Sequence, residues 1–458
     1  MDINICMNHF HCKTTIAVML VSAICSSAAK AQEQKRPAMT LHDCMEYAVS
    51  NSTSMRIQAA DRSDEQWLRR QAIMQAFTPS VSAQTYAYNQ FGRNLDPETN
   101  TYNTVTTFHN GYSVSAGITL FDGFQAINRL RMASTTMKMG VSLEQQEKDK
   151  ICLATMEAFA NVVYYTEMEK VVAAQVETAA TARDRAIRQE ELGLKGHAEV
   201  VQMESELAQK EYLLITMSNG KNDALITLKD VMFWPLDEEL LLDASIPEPD
   251  CLNVDPCALE MKAKEFLPSA QIASLDLRKA TLDLKSARGA YSPTLGLYGG
   301  WSTTYYTYPG KAGYSPAPFG QQFRNNGGEY IELSLNIPIF DQLRRRTVLK
   351  QKKNALVRAE ARYDQTMRDI ENEIRRAVND RDGARAAYLQ ADKLAQVQEE
   401  AFRLGSRQFE TGLISAIEYQ TASQAYLNAE AERLNSLLKL GIKDALVRYY
   451  NGEPYIAQ

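Results

Sequence analysis

The sequence predicts a mainly α-helical chain in which two long halves repeat one plan and supply four strands to a membrane β-barrel. Three observations lead to this prediction. The stretch ITLFDGF at residues 118–124 returns as IPIFDQL at residues 337–343. Apolar and polar residues alternate on both sides of one loop in each half. Each alternating pair precedes about seventy residues of helical periodicity without proline.

The repeat has a constant spacing over a long distance. Phe121 and Phe340 lie 219 positions apart, and Gly193 and Gly412 have the same separation. A fixed offset over so long a stretch is typical of an internal duplication. We therefore expect each half to fold as a helix, a β-hairpin and a second, longer helical section.

The first residues predict export. Lys13 precedes the apolar run TTIAVMLVSAIC, and the tripeptide AKA before Gln32 has the small-x-small pattern of a signal-peptidase site. The apolar run is too short for a permanent membrane helix. We expect a signal peptide over residues 1–31, with either Met1 or Met7 as the true start.

The mature chain divides at the linker between the repeats. We expect the first repeat with its linker over residues 32–250 and the second over 251–458. The predicted strands cover about 79–91 and 111–121 in the first repeat, and about 293–308 and 329–340 in the second. The predicted helical tips lie near residues 193 and 412.

Each repeat changes its periodicity at the hairpin. Residues 41–77 step at helical intervals and contain neither proline nor glycine, which predicts one long helix. Period-two alternation then flanks the polar loop FGRNLDPETNTYN in the first repeat and the aromatic loop YPGKAGYSPAPFG in the second. Alternating segments of about ten residues are the signature of membrane barrel strands.

The helical sections are unusually long. Between Phe124 and Glu191 the only glycine is Gly140, and no proline occurs. Seventy helical residues span on the order of 100 Å. Alanine-rich seams predict antiparallel coiled coils, and the chain must reverse at Gly193 and Gly412.

Four strands cannot close a membrane barrel, because the smallest spanning barrels have eight strands and an open edge in lipid leaves backbone groups without partners. The chain must therefore oligomerise. Strands at one end and long helices at the other predict a tube that crosses the membrane and projects far from it.

Composition excludes several classes of protein and site. The formal net charge is −6 at pH 7, and the absence of a basic cluster argues against nucleic acid. The segment HAEVVQMESE, with His197, Glu199 and Glu204, lacks metal-site spacing, and neither a nucleophile motif nor a phosphate loop occurs. We expect no enzyme activity, no metal and no cofactor. Cys251 and Cys257 either form a small disulfide loop or remain free thiols.

Together these segments resemble the TolC family of outer membrane efflux proteins over essentially the whole mature chain. The resemblance rests on the paired junctions, the MTLHDCMEYAVSNS opening, the AFANVVYYTEME helix, the FWPLDEELLLDASIP linker and the tips ELGLKGHAEV and ETGLISAIEY. It implies a homotrimer in the outer membrane of a Gram-negative bacterium. That trimer would have a twelve-stranded barrel in lipid and an α-helical periplasmic barrel of coiled coils.

The resemblance also implies a function as the exit duct of a tripartite efflux pump or a type I secretion system. Its partners would be a periplasmic adaptor and an inner-membrane transporter, and the sequence does not identify the cargo. The alternative is an exported coiled-coil structural or adhesin-like protein without a pore. The two alternating hairpins argue against that alternative.

Three groups of residues are candidate sites. Phe121, Asp122, Phe340 and Asp341 form the strand-to-helix junctions, where each carboxylate is expected to cap the following helix. The resemblance implies that the tips contact the adaptor, although their glycines also serve the turn alone; the tip residues are Gly193, Leu194, Lys195, Gly412, Leu413 and Ile414. The resemblance further implies an acidic gate at Glu418, with Glu199 at the equivalent position of the first repeat. The alternative is that Glu418 is a solvated residue of the coiled coil.

The family's second acidic gate position is Thr421 in this chain, which departs from a doubled acidic ring. Three copies of Glu418 around a threefold axis would repel one another and attract cations. We expect Glu418 rather than Glu199 to set cation preference, because the resemblance places the second tip at the constriction.

Overall fold

The computed structural model describes residues 38–95, 100–244 and 254–456, without the side chains of Asn94 and Asn103. The predicted signal peptide lies outside the described residues. So do the boundary between the repeats and Cys251, and therefore its pairing with Cys257.

The first repeat begins with two helices, continues through four strands and ends with two long helices. In chain order these elements are α1 (Leu41–Asn51), α2 (Thr53–Phe77), β1 (Ser80–Gln90), β2 (Arg93–Leu95), β3 (Tyr102–Thr104), β4 (Thr107–Phe121), α3 (Gln125–Glu191) and α4 (His197–Met232). β2 and β3 form a small separate hairpin within the predicted polar loop.

The second repeat follows the same order, except that a short helix takes the place of β2 and β3. Its elements are α5 (Pro256–Phe266), α6 (Pro268–Gly289), β5 (Thr294–Thr307), α7 (Phe319–Asn325), β6 (Gly328–Asn336), α8 (Arg344–Glu410) and α9 (Ala416–Tyr450). α3 and α8 each contain 67 residues, a length of about 100 Å at 1.5 Å per residue. The predicted fold class is confirmed: a mainly helical, duplicated helix–hairpin–helix chain with four long strands.

The prediction of one continuous helix over residues 41–77 is wrong at Ser52. This residue has an extended backbone (φ −59°, ψ 134°), and its hydroxyl accepts a hydrogen bond from the Ser54 amide at 3.2 Å. Short polar side chains compete with helical hydrogen bonds in this way, and the local sequence SNSTS consists entirely of them. Hydrophobic periodicity does not report this competition.

The last predicted strand is also shorter than expected. β6 ends at Asn336, whereas alternation extends the prediction to residue 340. Pro338 has no amide to donate to a neighbouring strand, so residues 337–340 leave the sheet before the helix begins. Phe340 is 77% exposed there.

Both strand-to-helix junctions turn through two successive residues with left-handed backbone. Gly123 and Phe124 have φ of 68° and 64°, and Gln342 and Leu343 have φ of 56° and 66°. The two pairs have the spacing of the sequence repeat. The rings of Phe121 and Phe124 meet edge to face at 5.4 Å in the first junction.

The aspartates hold these turns to the helices that follow. Asp122 Oδ2 accepts hydrogen bonds from the Ala126 amide at 2.8 Å and from the Arg129 guanidinium at 3.0 Å. Asp341 Oδ2 accepts from the Arg345 amide at 3.0 Å and from Arg345 Nε at 2.8 Å. Each carboxylate thus partners a free first-turn amide at the positive end of a helix.

The four long strands form one antiparallel sheet in the order β1–β4–β5–β6. Its register places residues of like character side by side across neighbouring strands. Val81 lies opposite Ala116, while Leu297 lies opposite both Ile118 and Leu333. Within the described part of the chain, no strand pairs with the outer edge of β1 or of β6.

The two faces of this sheet differ sharply in polarity. One face carries mainly aliphatic side chains: Val81, Ala83, Val114, Ala116, Ile118, Leu295, Leu297, Ile331, Leu333 and Leu335. The opposite face carries mainly hydroxyl-bearing and amide side chains: Ser82, Gln84, Tyr86, Ser113, Ser115, Tyr298, Ser302, Tyr330, Glu332 and Ser334. The aliphatic face is exposed, with Ile331 at 88% and Val81 at 69%.

The short helix α7 covers the end of β5 that extends beyond β6. The Gln322 side chain accepts a hydrogen bond from the Tyr306 amide at 3.1 Å and donates to the Tyr306 carbonyl at 3.0 Å. Asn326 donates to the Thr304 carbonyl at 2.6 Å. Side-chain amides therefore replace the missing strand. An aromatic cluster packs above them, formed by Tyr112, Trp301, Tyr305, Phe319 and Phe323.

The long helices pair as antiparallel coiled coils. We call α3 with α4 the first coiled coil and α8 with α9 the second. Near the C-terminus, Tyr449 Oη donates to Asp149 at 2.6 Å and Tyr450 Oη donates to Glu373 at 2.7 Å, which joins α9 to α3 and to α8. No helix among the described residues combines the length and apolarity that a bilayer span requires.

The first junction packs closely against the backbone at the end of α6. A Cβ atom added at Gly123 would lie 2.2 Å from the Gly289 carbonyl oxygen, and the φ of Gly123 is already left-handed. Gly193 has a similar φ but nothing within 4 Å of its Cβ position. Substitutions at Gly123 and Gly193 can therefore separate the free-energy cost of a left-handed backbone from the cost of the close contact with Gly289.

We predict that Gly123→Ala destabilises the protein by about 2–4 kcal/mol, because it combines left-handed strain with overpacking. Gly193→Ala carries only the strain, about 1 kcal/mol. Thermal denaturation of the purified protein, followed by circular dichroism, measures both variants. Equal losses in the two variants would show that the contact with Gly289 contributes nothing.

Candidate functional site

The two coiled coils end in turns of the same geometry. We call residues 192–196 tip 1 and residues 411–415 tip 2. Gly193 and Gly412 occupy equivalent positions with φ of 70° and 75°, where glycine avoids the strain of a Cβ atom. The predicted chain reversals therefore occur at these glycines.

The residue after each glycine completes the turn with its backbone and exposes its side chain. The Leu194 amide donates to the Gln189 carbonyl, and the Leu413 amide donates to the Gln408 carbonyl, each at 2.8 Å. This hydrogen bond is that of a Schellman motif. The Leu194 and Leu413 side chains are 72% and 75% exposed, so neither contributes to a core within the chain.

The third residue of each tip instead faces the protein. Lys195 Nζ lies 2.6 Å from Glu199 Oε1 and 4.5 Å from the centre of the Phe409 ring, which belongs to the second coiled coil. Ile414 packs against the cluster that contains Phe402 and Phe409. The two tips are therefore joined to each other, and their exposed apolar surface lies at Leu192 and Leu194 in tip 1 and at Leu413 in tip 2.

Glu418 forms a capping box with Ser415 at the start of α9. Its Oε2 accepts hydrogen bonds from the Ser415 amide at 2.8 Å and the Ser415 hydroxyl at 3.1 Å, while the hydroxyl accepts from the Glu418 amide at 3.3 Å. The backbone hydrogen bond from Ser415, reinforced by its side chain, lowers the pKa of Glu418. The carboxylate is thus stabilised in its charged form.

Glu199 occupies the equivalent position in the first repeat but has a different electrostatic setting. The Lys195 ammonium offsets its charge, whereas no ion pair to Glu418 occurs among the described side chains. Thr421 donates its hydroxyl to the Ile417 carbonyl at 2.8 Å. Of these three positions, only Glu418 presents a carboxylate without a basic partner.

A buried ion pair between the coiled coils was not predicted from the sequence. Glu206 and Lys210 of α4 are 1% and 3% exposed, and Lys210 Nζ lies 3.1 Å from Glu206 Oε1. Neither oxygen of Glu206 has a partner with hydrogen-bond geometry. The sequence signal for their burial is their spacing. Val200, Met203, Glu206 and Lys210 recur at intervals of three or four residues, so the two charged residues lie on the same helix face as the two apolar ones.

Further polar contacts link the first and second coiled coils around this pair. Arg185 forms an ion pair with Glu410. Gln420 Nε2 donates to Gln209 Oε1 at 3.3 Å, and Ser423 Oγ donates to Gln175 Oε1 at 3.4 Å. Polar pairs of this kind can exchange for water when helices move apart, unlike a packed apolar core.

His197 begins α4 and contacts the end of α3. His197 Nδ1 lies 2.9 Å from Glu190 Oε1, a contact that ties α4 to the end of α3. In the described ranges, no group of three histidine, cysteine, aspartate or glutamate residues has metal-binding geometry.

We predict that Lys210→Met destabilises the coiled coils by about 3–5 kcal/mol, because it leaves a buried carboxylate without its partner. The double variant Glu206→Leu with Lys210→Met removes both charges and should recover most of this loss. Thermal denaturation of both variants forms the comparison. A single variant as stable as the original chain, or a double variant no better than the single, would contradict this prediction.

Comparison with known proteins agrees with this architecture. Residues 262–447 match the family model of the outer membrane efflux protein. No curated protein matches the chain at a significant level.

Solved structures extend the similarity over most of the chain. The outer-membrane channel OprN superposes with a TM-score of 0.73 at 17% identity, covering 90% of this chain and 89% of its own. VceC of Vibrio cholerae has a TM-score of 0.72 at 15% identity, covering 91% and 96%. The open-state MtrE channel of Neisseria gonorrhoeae has a TM-score of 0.72 at 16% identity, covering 91% and 89%.

OprN and MtrE are outer-membrane channels, and VceC is an outer membrane protein. The second repeat is therefore similar to the outer membrane efflux protein family, and the whole chain has the fold of these outer-membrane channels.

Proposed function

We propose that the chain forms a homotrimer in the outer membrane of a Gram-negative bacterium, where it is the exit duct of a tripartite efflux pump or a type I secretion system. Its partners are a periplasmic adaptor and an inner-membrane transporter. The observation that supports this most is the four-stranded sheet, which has an exposed aliphatic face and two unpaired edges.

Three such sheets joined edge to edge make a closed barrel of twelve strands. The aliphatic face then contacts lipid and the polar face lines a pore. The junctions at Asp122 and Asp341 bring α3 and α8 out at the same end of the sheet, and these helices reach about 100 Å. This length supports a tunnel through much of the periplasm.

The pore-free alternative does not account for the sheet. A coiled-coil scaffold or adhesin needs the long helices, but it has no use for ten aliphatic side chains on one exposed face. Such a face is unfavourable in water and favourable in a bilayer. The presence of a hairpin in both repeats also argues against a scaffold without a pore.

Extraction and electrophoresis test the oligomer. The mature protein should leave outer membranes only with detergent, and unheated samples should migrate in SDS as a species three times the mass of the chain. A soluble periplasmic monomer would contradict the proposed function.

We also propose that the two tips form the adaptor-docking surface. Leu194 and Leu413 are the exposed apolar residues at matching positions, while Lys195 and Ile414 hold the tips in place. An exposed leucine at an aqueous tip stabilises little within the chain, but it can be buried in a complex.

We predict that Leu194→Ser with Leu413→Ser leaves trimer assembly and thermal stability unchanged, since both side chains are already in solvent. Crosslinking to the adaptor encoded with this protein and the efflux that depends on it should fall at least tenfold. The exposed Leu241→Ser on the linker side is a matched control. Full crosslinking and efflux in the double variant would exclude docking through these leucines.

We propose that Glu418 forms the acidic ring of the periplasmic gate, with a smaller role for Glu199. The ion pair of Glu199 with Lys195 and the absence of one at Glu418 support this order. The hydrogen bonds from the Ser415 amide and hydroxyl lower the pKa of Glu418, which favours the charged carboxylate that such a ring needs. Movement of the second coiled coil away from the first would widen such a ring.

We predict that Glu418→Gln lowers the ratio of cation to anion permeability and weakens block by divalent cations in planar bilayers, whereas Glu199→Gln changes both much less. In the original protein, cation preference should decline on acidification as the Glu418 carboxylates become protonated. The hydrogen bonds from Ser415 lower the pKa of Glu418, whereas repulsion between three copies around the axis acts in the opposite direction. If Glu418→Gln has the same ratio of cation to anion permeability as the original channel, Glu418 has no role in the gate.

A further inference from the structure

Tyrosine rings lie flat on the polar face of the sheet. Each of three tyrosines lies above a glycine of the neighbouring strand: Tyr86 above Gly111, Tyr298 above Gly117 and Tyr330 above Gly300. In all three pairs the tyrosine and the glycine are directly opposite in the register. This pattern extends across all four strands of the sheet.

The distances show how closely the rings approach the backbone. A Cβ atom added at Gly111 would lie 2.3 Å from Tyr86 Cζ, and one added at Gly117 would lie 2.7 Å from Tyr298 Cδ1. A Cβ atom added at Gly300 would lie 2.9 Å from Tyr330 Cε1 and 2.8 Å from the Val114 carbonyl oxygen. Separations below 3 Å leave no room for a side chain, so each ring occupies the space that its glycine leaves open.

A ring that lies flat has one face on the sheet and the other in the lumen. The exposures agree with this orientation, since Tyr86, Tyr298 and Tyr330 are 47%, 43% and 46% exposed. Tyr88 extends the aromatic surface. Its ring centre lies 6.0 Å from that of Tyr86 and 5.0 Å from that of His109, with interplanar angles of 20° and 18°. The polar face therefore presents a series of π faces along its length.

The charges on this face have one sign. Among the described residues of β1, β4, β5 and β6 on the polar face, Glu332 is the only carboxylate, and neither lysine nor arginine occurs. Glu332 lies directly opposite Tyr298 on the adjacent strand. In a trimer, Glu332 and the rings of Tyr86, Tyr88, Tyr298 and Tyr330 from each of three chains would surround one lumen.

Aromatic faces attract organic cations through their quadrupoles, and a neighbouring carboxylate adds to that attraction. Neither feature favours anions. Rings that lie down also keep the lumen wide, because upright tyrosines would project into it.

We propose that this tyrosine-lined surface is a binding track for organic cations, and that the cargo of the duct includes quaternary or protonated amines with apolar groups. The inference rests on the proposed function, since it needs a conducting trimer whose polar face lines the pore. The inference adds a class of cargo to the proposed function, because the family resemblance does not specify the cargo.

The experiment is block of the ion current by benzyltrimethylammonium in planar bilayers that contain the full trimer. In the triple variant Tyr86→Ser, Tyr298→Ser and Tyr330→Ser, the half-blocking concentration should rise roughly tenfold, as expected from the loss of several cation–π contacts. The matched triple variant with phenylalanine keeps the rings and should retain the original block. Both variants are first checked for trimers on unheated gels and for conductance in KCl.

Glu332→Gln provides a second measurement with all rings in place, and its half-blocking concentration should rise severalfold. If the serine variant fails to assemble, the measurement on Glu332→Gln decides the test, and an unchanged half-blocking concentration in Glu332→Gln overturns the proposal. Unchanged block in an assembled serine variant also overturns it. An equal weakening of block by neutral benzyl alcohol would overturn the preference for cations. A wild-type trimer without conductance would instead refute the proposed function itself.

Discussion

The backbone of a strand in lipid must find all its hydrogen-bond partners in other strands, because the hydrocarbon offers none. Among its described residues, this chain meets that requirement at the three internal pairings of its sheet, but not at the outer edges of β1 and β6. Under the proposed function the exposed aliphatic face lies in lipid, where open edges are most unfavourable. Edge-to-edge association of identical chains satisfies both edges with one interface, and it also encloses the polar face.

The remaining architecture follows from joining this four-stranded sheet to long helices. A tilted strand must become a long helix twice per chain, and both junctions use two left-handed residues followed by a carboxylate-capped first turn. The close backbone contact of Gly123 with Gly289 sets the position of the first junction against α6. Similar junctions in both repeats let α3 and α8 leave the sheet at one level, and the tips can then meet through Lys195 and Phe409.

Periodicity and repetition were sufficient to predict the fold class. The constant spacing from Phe121 to Phe340 and from Gly193 to Gly412 reports a duplication, and the change from period two to helical steps locates hairpins and helices. These signals depend only on which side chains are buried. The break at Ser52 was missed because it arises from side-chain hydrogen bonds, which hydrophobic periodicity does not record.

The candidate sites were less predictable for the same reason. Sequence identified Glu418 and Glu199 as equivalent positions, but only three-dimensional contacts show that Lys195 neutralises one of them. The burial of Glu206 and Lys210 was not predicted because both residues lie in a helix with other charged side chains. The placement of tyrosine rings over glycines depends on the register between strands. Tyr298 and Gly117 are 181 positions apart, so no local pattern connects them.

Disulfide crosslinking between the two sheet edges tests the central claim most directly. Val81 on β1 and Leu333 or Leu335 on β6 lie on the same face, and within one chain three strand spacings separate these edges, roughly 14 Å. A disulfide needs Cα atoms within about 7 Å, so Val81→Cys combined with cysteine at 333 or 335 cannot close inside one chain. With the native cysteines replaced by serine, the account predicts covalent trimers on oxidation in at least one pairing. Monomers alone in every β1–β6 pairing, scanned along both edges, would contradict it.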